Sequence, residues 1–252
     1  HPDGAGPLHG RAQRAPAVVR VSEPLGERRR RDVPTGTARL QVTADFTLDD
    51  AASLAGYLAD VGVSHAYASP LLRSASGSTH GYDTVDHAHI DESRGGQAGF
   101  DRLVAALHEH GLGLVLDLVP NHMGVADPAE APWWWDVLRH GRDSAHASAF
   151  DVDWDFGGGR VRFPVAPGTE HGTPQEVHDR QHYELVDWRR ADRDLNYRRF
   201  FAINTLAGLR AEDPAIFDAT HDLVLRLVRD GAVDGLRIDH PDGLADPKGY
   251  LD

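Results

Sequence analysis

The chain has 252 residues, of which 40% are hydrophobic and 26% are charged, and it contains no cysteine. This composition is typical of a globular protein, and no apolar run approaches the ~18 residues that would indicate a membrane-spanning helix. The net charge of -13 argues against nucleic acid as a partner, and the lack of cysteine excludes disulfides and fits a cytoplasmic location.

Residues 1–34 are rich in Pro, Gly and Arg and show no apolar periodicity. The four arginines at 28–31 could indicate a nucleic-acid or targeting patch, but a solvated, disordered leader is the favoured interpretation. No apolar stretch follows the arginines, so a secretory signal is not predicted and neither a nucleic-acid nor a membrane partner is expected.

From residue 37 onward, strand patterns alternate with amphipathic helix patterns. Strands are predicted over 37–43, 63–68, 112–119 and 233–239. Helices are predicted over 47–61, 100–111 and 214–230. A loop rich in Ser, Gly and His is predicted over 69–96. The aromatic and polar excursion over 120–212 should hold its own helices and short strands, because a structureless loop of that length is improbable.

Repeated strand–helix units predict an α/β fold with a parallel sheet, either doubly wound or a (β/α)8 barrel. A complete barrel has eight strands and eight helices in typically ~250 residues, and only half of these elements fit here. We therefore expect a partial TIM barrel of about its first four strands, with a long insertion after strand 3. The expected division is a leader over 1–34, barrel over 35–119, an insertion or lid over 120–212, and the strand 4 region over 213–252, truncated.

Polar residues follow the second predicted strand in the sequence His80-Gly-Tyr82-Asp83. In parallel α/β folds, reactive groups lie at the carboxyl ends of strands and in the loops that follow. A tyrosine ring can stack on a sugar, and Asp and His can bind its hydroxyls. The alternative is an Asp/Gly turn with a packed tyrosine, and the motif by itself favours this alternative.

A second group follows the third predicted strand, in the sequence Asp117-Leu-Val-Pro-Asn121-His122. Asp117 is a charge at the end of a very apolar strand, where burial is costly unless the carboxylate is paired. Hydroxyl recognition and capping of backbone amides remain open as roles for this group. Asn121 could also orient a metal, but no convincing set of oxygen ligands surrounds it, so no metal site is predicted.

The third group is Arg237-Ile-Asp239-His240. Strand side chains alternate, so Arg237 and Asp239 should share one face while Ile238 packs behind. A cation beside Asp239 favours the ionised carboxylate that a nucleophile requires. A structural Arg–Asp pair is the alternative, and the polar context at a strand end favours function.

Together the three groups occur in the order found in the α-amylase clan, glycoside hydrolase family 13, which this sequence resembles. Longer strings are similar to one family of that clan, the maltooligosyltrehalose synthases. They include Ala-Ser-Pro-Leu-Leu at 68–72, Val-Pro-Asn-His-Met at 119–123, Phe-Asp-Val-Asp-Trp at 150–154 and Leu-Asn-Tyr-Arg-Arg-Phe-Phe at 195–201. The resemblance covers roughly residues 37–252.

The resemblance implies a (1→4)-α-D-glucan 1-α-D-glucosylmutase, which converts the reducing-end α-1,4 bond of a maltodextrin into an α,α-1,1 bond without a cofactor. It implies that Asp239 is the nucleophile and that Arg237 orients it. Substrate-binding roles are implied for a set of six residues, and a supporting role for Asp117. The six are His80, Tyr82, Asp83, Asn121, His122 and His240. Trp133, Trp134 and Trp135 could stack glucan or anchor the core.

The sequence also departs from the family pattern. The general acid/base Glu and a third Asp are expected on later barrel strands, beyond residue 252, so we expect a fragment that is inactive by itself. The segment between residues 165 and 181 is shorter than in the family, and residues 1–34 show no likeness to it. An α-glucan hydrolase of the same clan and a non-catalytic glucan-binding remnant remain as alternatives.

Overall fold

A computed structural model describes residues 33–165 and 182–252 of the chain. The expected disordered leader over 1–34 lies outside the described residues except for its last two positions. The short segment between residues 165 and 181 also lies outside them.

Strands and helices alternate along the described residues. The strands are β1 (Thr37–Leu40), β2 (His65–Ala68), β3 (Leu72–Ser74), β4 (Thr84–Ile90), β5 (Gly113–Leu118), β6 (His122–Gly124), β7 (Val161–Val165), β8 (Tyr183–Asp187), β9 (Leu206–Gly208) and β10 (Gly235–Ile238). The α-helices are Leu48–Ser53, Ala55–Val61, Gly96–Glu109, Pro132–His140, Ala191–Asp194, Pro214–Arg229 and Pro247–Leu251.

A four-stranded parallel sheet organises the molecule, with the strand order β1-β2-β5-β10. Its strands are connected through helices, which is how parallel strands are joined. The other pairings are antiparallel β3–β4 and β6–β9 and parallel β7–β8. The helices and short strands expected within 120–212 are therefore present.

Two predicted elements differ from those observed. The helix expected over 47–61 is interrupted at Leu54, whose N–H bonds to the Ala51 carbonyl three residues back and tightens the chain there. Its beginning is as predicted, because the Thr47 side chain accepts from the Asp50 N–H and Asp50 bonds back to Thr47. It ends at Gly62, whose φ of 85° is in the left-handed region that favours glycine.

The prediction of a loop over 69–96 is wrong, because this segment contains the antiparallel pair β3–β4. Its Ser and His residues hide the strand pattern, although Leu72, Val85 and Ile90 are buried. Arg94 is fully buried behind this pair. Its guanidinium donates to the Pro70 carbonyl at 2.6 Å and to the Ser74 hydroxyl at 2.9 Å, which fixes the segment that precedes the tyrosine motif.

Two hydrophobic clusters among the described residues stabilise the fold. The larger one joins the parallel sheet to helices Leu48–Ser53, Gly96–Glu109 and Pro214–Arg229, each of which buries one apolar face. The second cluster surrounds Trp134, which is completely buried and contacts Phe150 and Tyr197 edge-on. Trp134 is therefore a core residue, so the suggestion that it stacks glucan is wrong, while Trp133 and Trp135 are partly buried.

No helix among the described residues is long and apolar enough to cross a membrane.

Candidate active site

The parallel register brings charged and tyrosine side chains from four strands together. Arg39 on β1 is paired with Tyr67 on β2, and Asp117 on β5 is paired with Arg237 on β10. Each residue lies one position before the end of its strand. This cluster therefore occupies the carboxyl edge of the sheet, where parallel α/β folds place their reactive groups.

Asp117 is the centre of the cluster, and its side chain has no solvent exposure. Its Oδ2 accepts from the hydroxyls of Tyr67 at 2.8 Å and Tyr82 at 2.5 Å and from Arg39 at 3.3 Å. Its Oδ1 accepts from Arg237 at 2.9 Å. A buried carboxylate must be paired and hydrogen-bonded to be tolerated, and Asp117 meets both conditions.

Arg237 links Asp117 to Asp239. Its Nη1 donates to Asp117 and also to Asp239 Oδ1 at 2.5 Å, and the Asp239 side chain is only 9% exposed. The hydrogen bond to Asp117 is the largest cause that raises the pKa of Arg237, with that to Asp239 contributing. The cluster contains two carboxylates and two guanidinium groups, so its formal charges balance; these are Asp117, Asp239, Arg39 and Arg237. Arg237 and Asp239 share one face, as predicted.

Arg39 and Tyr67 were not anticipated from the sequence. Arg39 donates to the Tyr82 hydroxyl at 3.1 Å, and its guanidinium lies 4.8 Å from the Tyr67 ring centroid. Burial and the hydrogen bond to Asp117 raise the pKa of Tyr67 to about 12, and the same two causes raise the pKa of Tyr82. Both tyrosines therefore remain donors to Asp117 at neutral pH.

Asn121 connects the segments that follow the third and fourth strands of the sheet, and His122 connects Asn121 to the tyrosine motif. The Asn121 amide donates to the backbone carbonyls of Asp239 at 3.1 Å and His240 at 2.8 Å, which fixes the chain that carries Asp239. His122 is buried, with Nδ1 facing Asn121 Oδ1 and Nε2 2.8 Å from the Tyr82 carbonyl. Burial is the largest effect on the His122 pKa and lowers it to about 4. A neutral ring has one N–H and donates to only one of these oxygens at a time.

Gly81 allows the tyrosine motif to pack closely. Its φ is 83°, and a Cβ there would lie 2.7 Å from the Pro70 carbonyl and against the Arg94 guanidinium. Of its neighbours, Tyr82 enters the cluster around Asp117. His80 stays at the exposed rim, where its Nδ1 accepts from the Tyr82 N–H at 3.0 Å. The Asp83 carboxylate accepts from the Ser78 hydroxyl at 2.5 Å.

An aromatic group from the excursion forms another part of the site. Phe200 stacks on His122 at a centroid distance of 4.1 Å, and both Phe200 and Phe201 contact the His240 ring edge-on. Phe201 and His240 are the non-glycine residues with positive φ in the described chain, at 51° and 46°. Such backbone strain is typical of functional sites. These phenylalanines belong to the string Leu-Asn-Tyr-Arg-Arg-Phe-Phe of the family resemblance, but the sequence alone does not indicate a site role for them.

The described residues contain no group of three or more His, Cys, Asp or Glu side chains that could hold a metal ion. The Asn121 amide, which was considered for metal orientation, is directed at two backbone carbonyls through its nitrogen and at His122 through its oxygen. Its geometry supports the chain around Asp239.

Residues 48–249 match the alpha-amylase catalytic domain family. The chain belongs to this family. A Mycobacterium tuberculosis protein described as a maltooligosyl trehalose synthase is 48% identical over 232 residues, covering 82% of this chain and 30% of that protein. The structure of maltooligosyltrehalose synthase from Arthrobacter ramosus superposes with a TM-score of 0.80 at 53% identity, over 86% of this chain and 32% of that one.

The intracellular maltogenic amylase of Bacillus subtilis is 29% identical over 183 residues, which cover 73% of this chain and 24% of that protein. The chain thus spans about a third of the length of the relatives it matches. The family membership confirms the α/β fold class and the resemblance drawn from the sequence.

Proposed function

We propose that this chain is part of an enzyme that rearranges maltodextrins, converting the reducing-end α-1,4 bond into an α,α-1,1 bond by intramolecular transglycosylation. The observation that carries the proposal is the Asp239 carboxylate, held by Arg237 at the end of β10 beside Tyr82 and His122. The similarity to proteins named maltooligosyl trehalose synthase supports this reaction over others of the family.

In the proposed reaction, an Asp239 oxygen attacks the anomeric carbon of the penultimate glucose. The bond from this carbon to the terminal glucose oxygen breaks, and a proton is delivered to the leaving oxygen. The anomeric hydroxyl of the released glucose then attacks the same carbon, expels Asp239 and returns a proton. Two displacements retain the α configuration, as in retaining glycosidases.

Arg237 has two roles in this proposal. It holds Asp239 against rotation, and its positive charge favours the carboxylate as the nucleophile. Arg237 is itself oriented by Asp117, which makes Asp117 a supporting residue that does not need to touch the sugar. The exposed edge of the Tyr82 ring and the His240 ring line the position of the attacked sugar, with His80 and Asp83 at its rim. His122 is buried beneath Phe200, so it supports these groups from behind.

We place the proton donor outside these 252 residues, on a strand of the same barrel that follows β10. In this view β1, β2, β5 and β10 are the first four strands of an eight-stranded barrel, and residues 120–212 are an insertion after the third strand. Phe200 from this insertion covers His122 and would help to exclude water. Residues 1–252 by themselves would then be inactive, since proton donation contributes ~10²–10⁴-fold.

The test is incubation of the full-length protein with maltohexaose, with reducing ends and product masses measured over time. The proposed reaction consumes reducing ends while the product mass stays that of a hexasaccharide. Asp239→Asn should abolish this change. Asp86→Asn should preserve it, because this carboxylate bonds to the Ala88 N–H and the His89 ring and lies outside the cluster around Asp117. A rise in reducing ends would contradict the proposal.

An α-glucan hydrolase is the second candidate, favoured by the 29% identity to a maltogenic amylase. The same Arg237–Asp239 arrangement would serve hydrolysis, with water replacing the freed glucose in the second step. The reducing-end measurement separates the two reactions. Absence of any product from the full-length protein would instead favour a non-catalytic glucan-binding role.

A further inference from the structure

A cleft of about 690 Å³ lies in the excursion, and none of the residues clustered around Asp239 line it. Its walls come from two segments, 147–156 and 195–198, with Arg210. The antiparallel bridge between Val152 and Tyr197 joins the segments. Volumes of ~300–1,000 Å³ are usual for sites that bind small organic ligands, so the cleft can hold a short oligosaccharide.

The charges that line the cleft balance. Two carboxylates, Asp151 and Asp153, face two guanidinium groups, Arg198 and Arg210. Asp151 is already paired with both arginines, at 2.6 Å and 3.4 Å. Both arginines are therefore already paired, and a neutral polar ligand is favoured over an anion, because an anion would have to break these pairs.

The Asp153 carboxylate in the cleft still has bonding capacity. Asp153 uses Oδ1 to accept from the N–H groups of Asp155 and Phe156, and its Oδ2 has no partner among the described residues. The Tyr197 side chain packs into the second hydrophobic cluster with its hydroxyl buried, so this hydroxyl is closed to a ligand in the cleft.

Aromatic side chains complete the lining. Phe156 is 50% exposed, and Trp154 is partly buried beside it. Arg162 and Arg142 lie against these rings at 4.8 Å and 5.9 Å. Exposed aromatic surface next to the free Asp153 carboxylate oxygen is suited to a ligand that has apolar C–H faces and a polar hydroxyl rim, which describes a sugar ring.

We propose that this cleft is a second carbohydrate-binding site, which takes a segment of α-1,4-glucan away from Asp239. The choice of α-glucan rests on the proposed function, whereas the neutral, aromatic and hydroxyl-accepting character of the cleft does not. Residues 197 and 198 line the cleft, and Phe200 covers His122 only two residues further along. A long glucan held here therefore stays close to the catalytic cluster.

The test uses β-cyclodextrin, a closed ring of α-1,4-linked glucose that has no reducing end and so is not a substrate for a reaction at that end. Binding is measured by isothermal titration calorimetry with full-length protein carrying Asp239→Asn, which prevents turnover. Phe156→Ala and Trp154→Ala, each added separately, should weaken binding about 3- to 10-fold, the range expected for loss of an aromatic contact.

The matched control is Trp188→Ala, which removes a 44% exposed tryptophan that lies outside the cleft and should leave binding within twofold. Phe156 is half exposed, so its loss should not unfold the protein, and circular dichroism checks this. Three results would overturn the proposal: undetectable β-cyclodextrin binding, binding that neither cleft substitution weakens, or a weakening by Trp188→Ala as large as that in the cleft variants. Conversion of maltohexaose is measured separately, so failure of the proposed function is recognised even when the ring binds.

Discussion

Asp117→Asn tests whether the buried carboxylate organises the site. The substitution keeps the shape of the side chain but replaces one oxygen by an NH2 donor. If the amide oxygen takes the Oδ2 position, it continues to accept from the hydroxyls of Tyr67 and Tyr82. The NH2 group then faces Arg237 Nη1, which is 2.9 Å from Oδ1 in the native protein, so a charged hydrogen bond becomes a contact between two donors.

The expected loss of stability depends on how far the Asp117 carboxylate and its arginine partners are buried. A hydrogen bond to a charged group contributes ~1.5–3 kcal/mol. The Asp117 side chain has no exposure, but Arg237 and Arg39 are 46% and 37% exposed and can regain hydration. We therefore discount the higher figure and expect a loss of about 2 kcal/mol in the free energy of unfolding. Turnover should also fall about 10- to 100-fold, because Arg237 no longer fixes Asp239.

Urea unfolding of the purified protein, followed by circular dichroism, measures the stability change. The matched control is Asp49→Asn, which makes the same chemical change in an ion pair with Arg102 whose two side chains are 50% and 57% exposed. The control should leave the unfolding midpoint unchanged. An organising role of Asp117 would be contradicted if Asp117→Asn cost no more stability than Asp49→Asn, or if it left turnover intact.

Three further predictions concern stability. Gly81→Ala should lower the free energy of unfolding, measured with urea, by about 2 kcal/mol more than Gly77→Ala does. Both glycines have φ near 80°, but of the two only Gly81 lacks space for a Cβ. Equal losses would contradict this. Phe201→Gly should raise the unfolding free energy by about 1 kcal/mol, because glycine accepts φ 51° without strain and the ring is 71% exposed; a lower midpoint would show that the ring contacts matter more. Burial lowers the pKa of His87, His122 and His221 to about 4. As pH falls from about 6.5, the unfolded chain binds protons before the folded protein does, so the free energy of unfolding should decrease between pH ~6.5 and pH ~4 by about 1.4 kcal/mol per proton per pH unit. Urea midpoints measured across this range should show the decrease.

Much of the parallel sheet could be predicted because its signals are local. The apolar run over 112–119 and the capping of Thr47 by Asp50 each depend on neighbouring residues only, and the structure contains both elements. The shared face of Arg237 and Asp239 follows from strand alternation, and the two side chains are in contact. The expected helix over 214–230 is likewise observed, as Pro214–Arg229.

Arg39 and Tyr67 could not be predicted because their roles depend on contacts distant in sequence. They reach Asp117 from 78 and 50 residues away, and only the order and register of the strands bring them there. The position of Phe200 against His122 depends on the path of the excursion, which has no periodic pattern. The pair β3–β4 was missed because polar residues interrupt its apolar positions. The cytoplasmic location remains a prediction.

The most direct test of the central claim is to trap Asp239 as a glycosyl-enzyme. A 5-fluoro-α-D-glucosyl fluoride carries a leaving group that departs without proton donation, and its ring fluorine slows the second displacement. Peptide mass spectrometry should then find one fluoroglucosyl group on Asp239, and Asp239→Asn should remain unlabelled. A label on another residue, or no label on a protein that converts maltohexaose, would contradict Asp239 as the nucleophile.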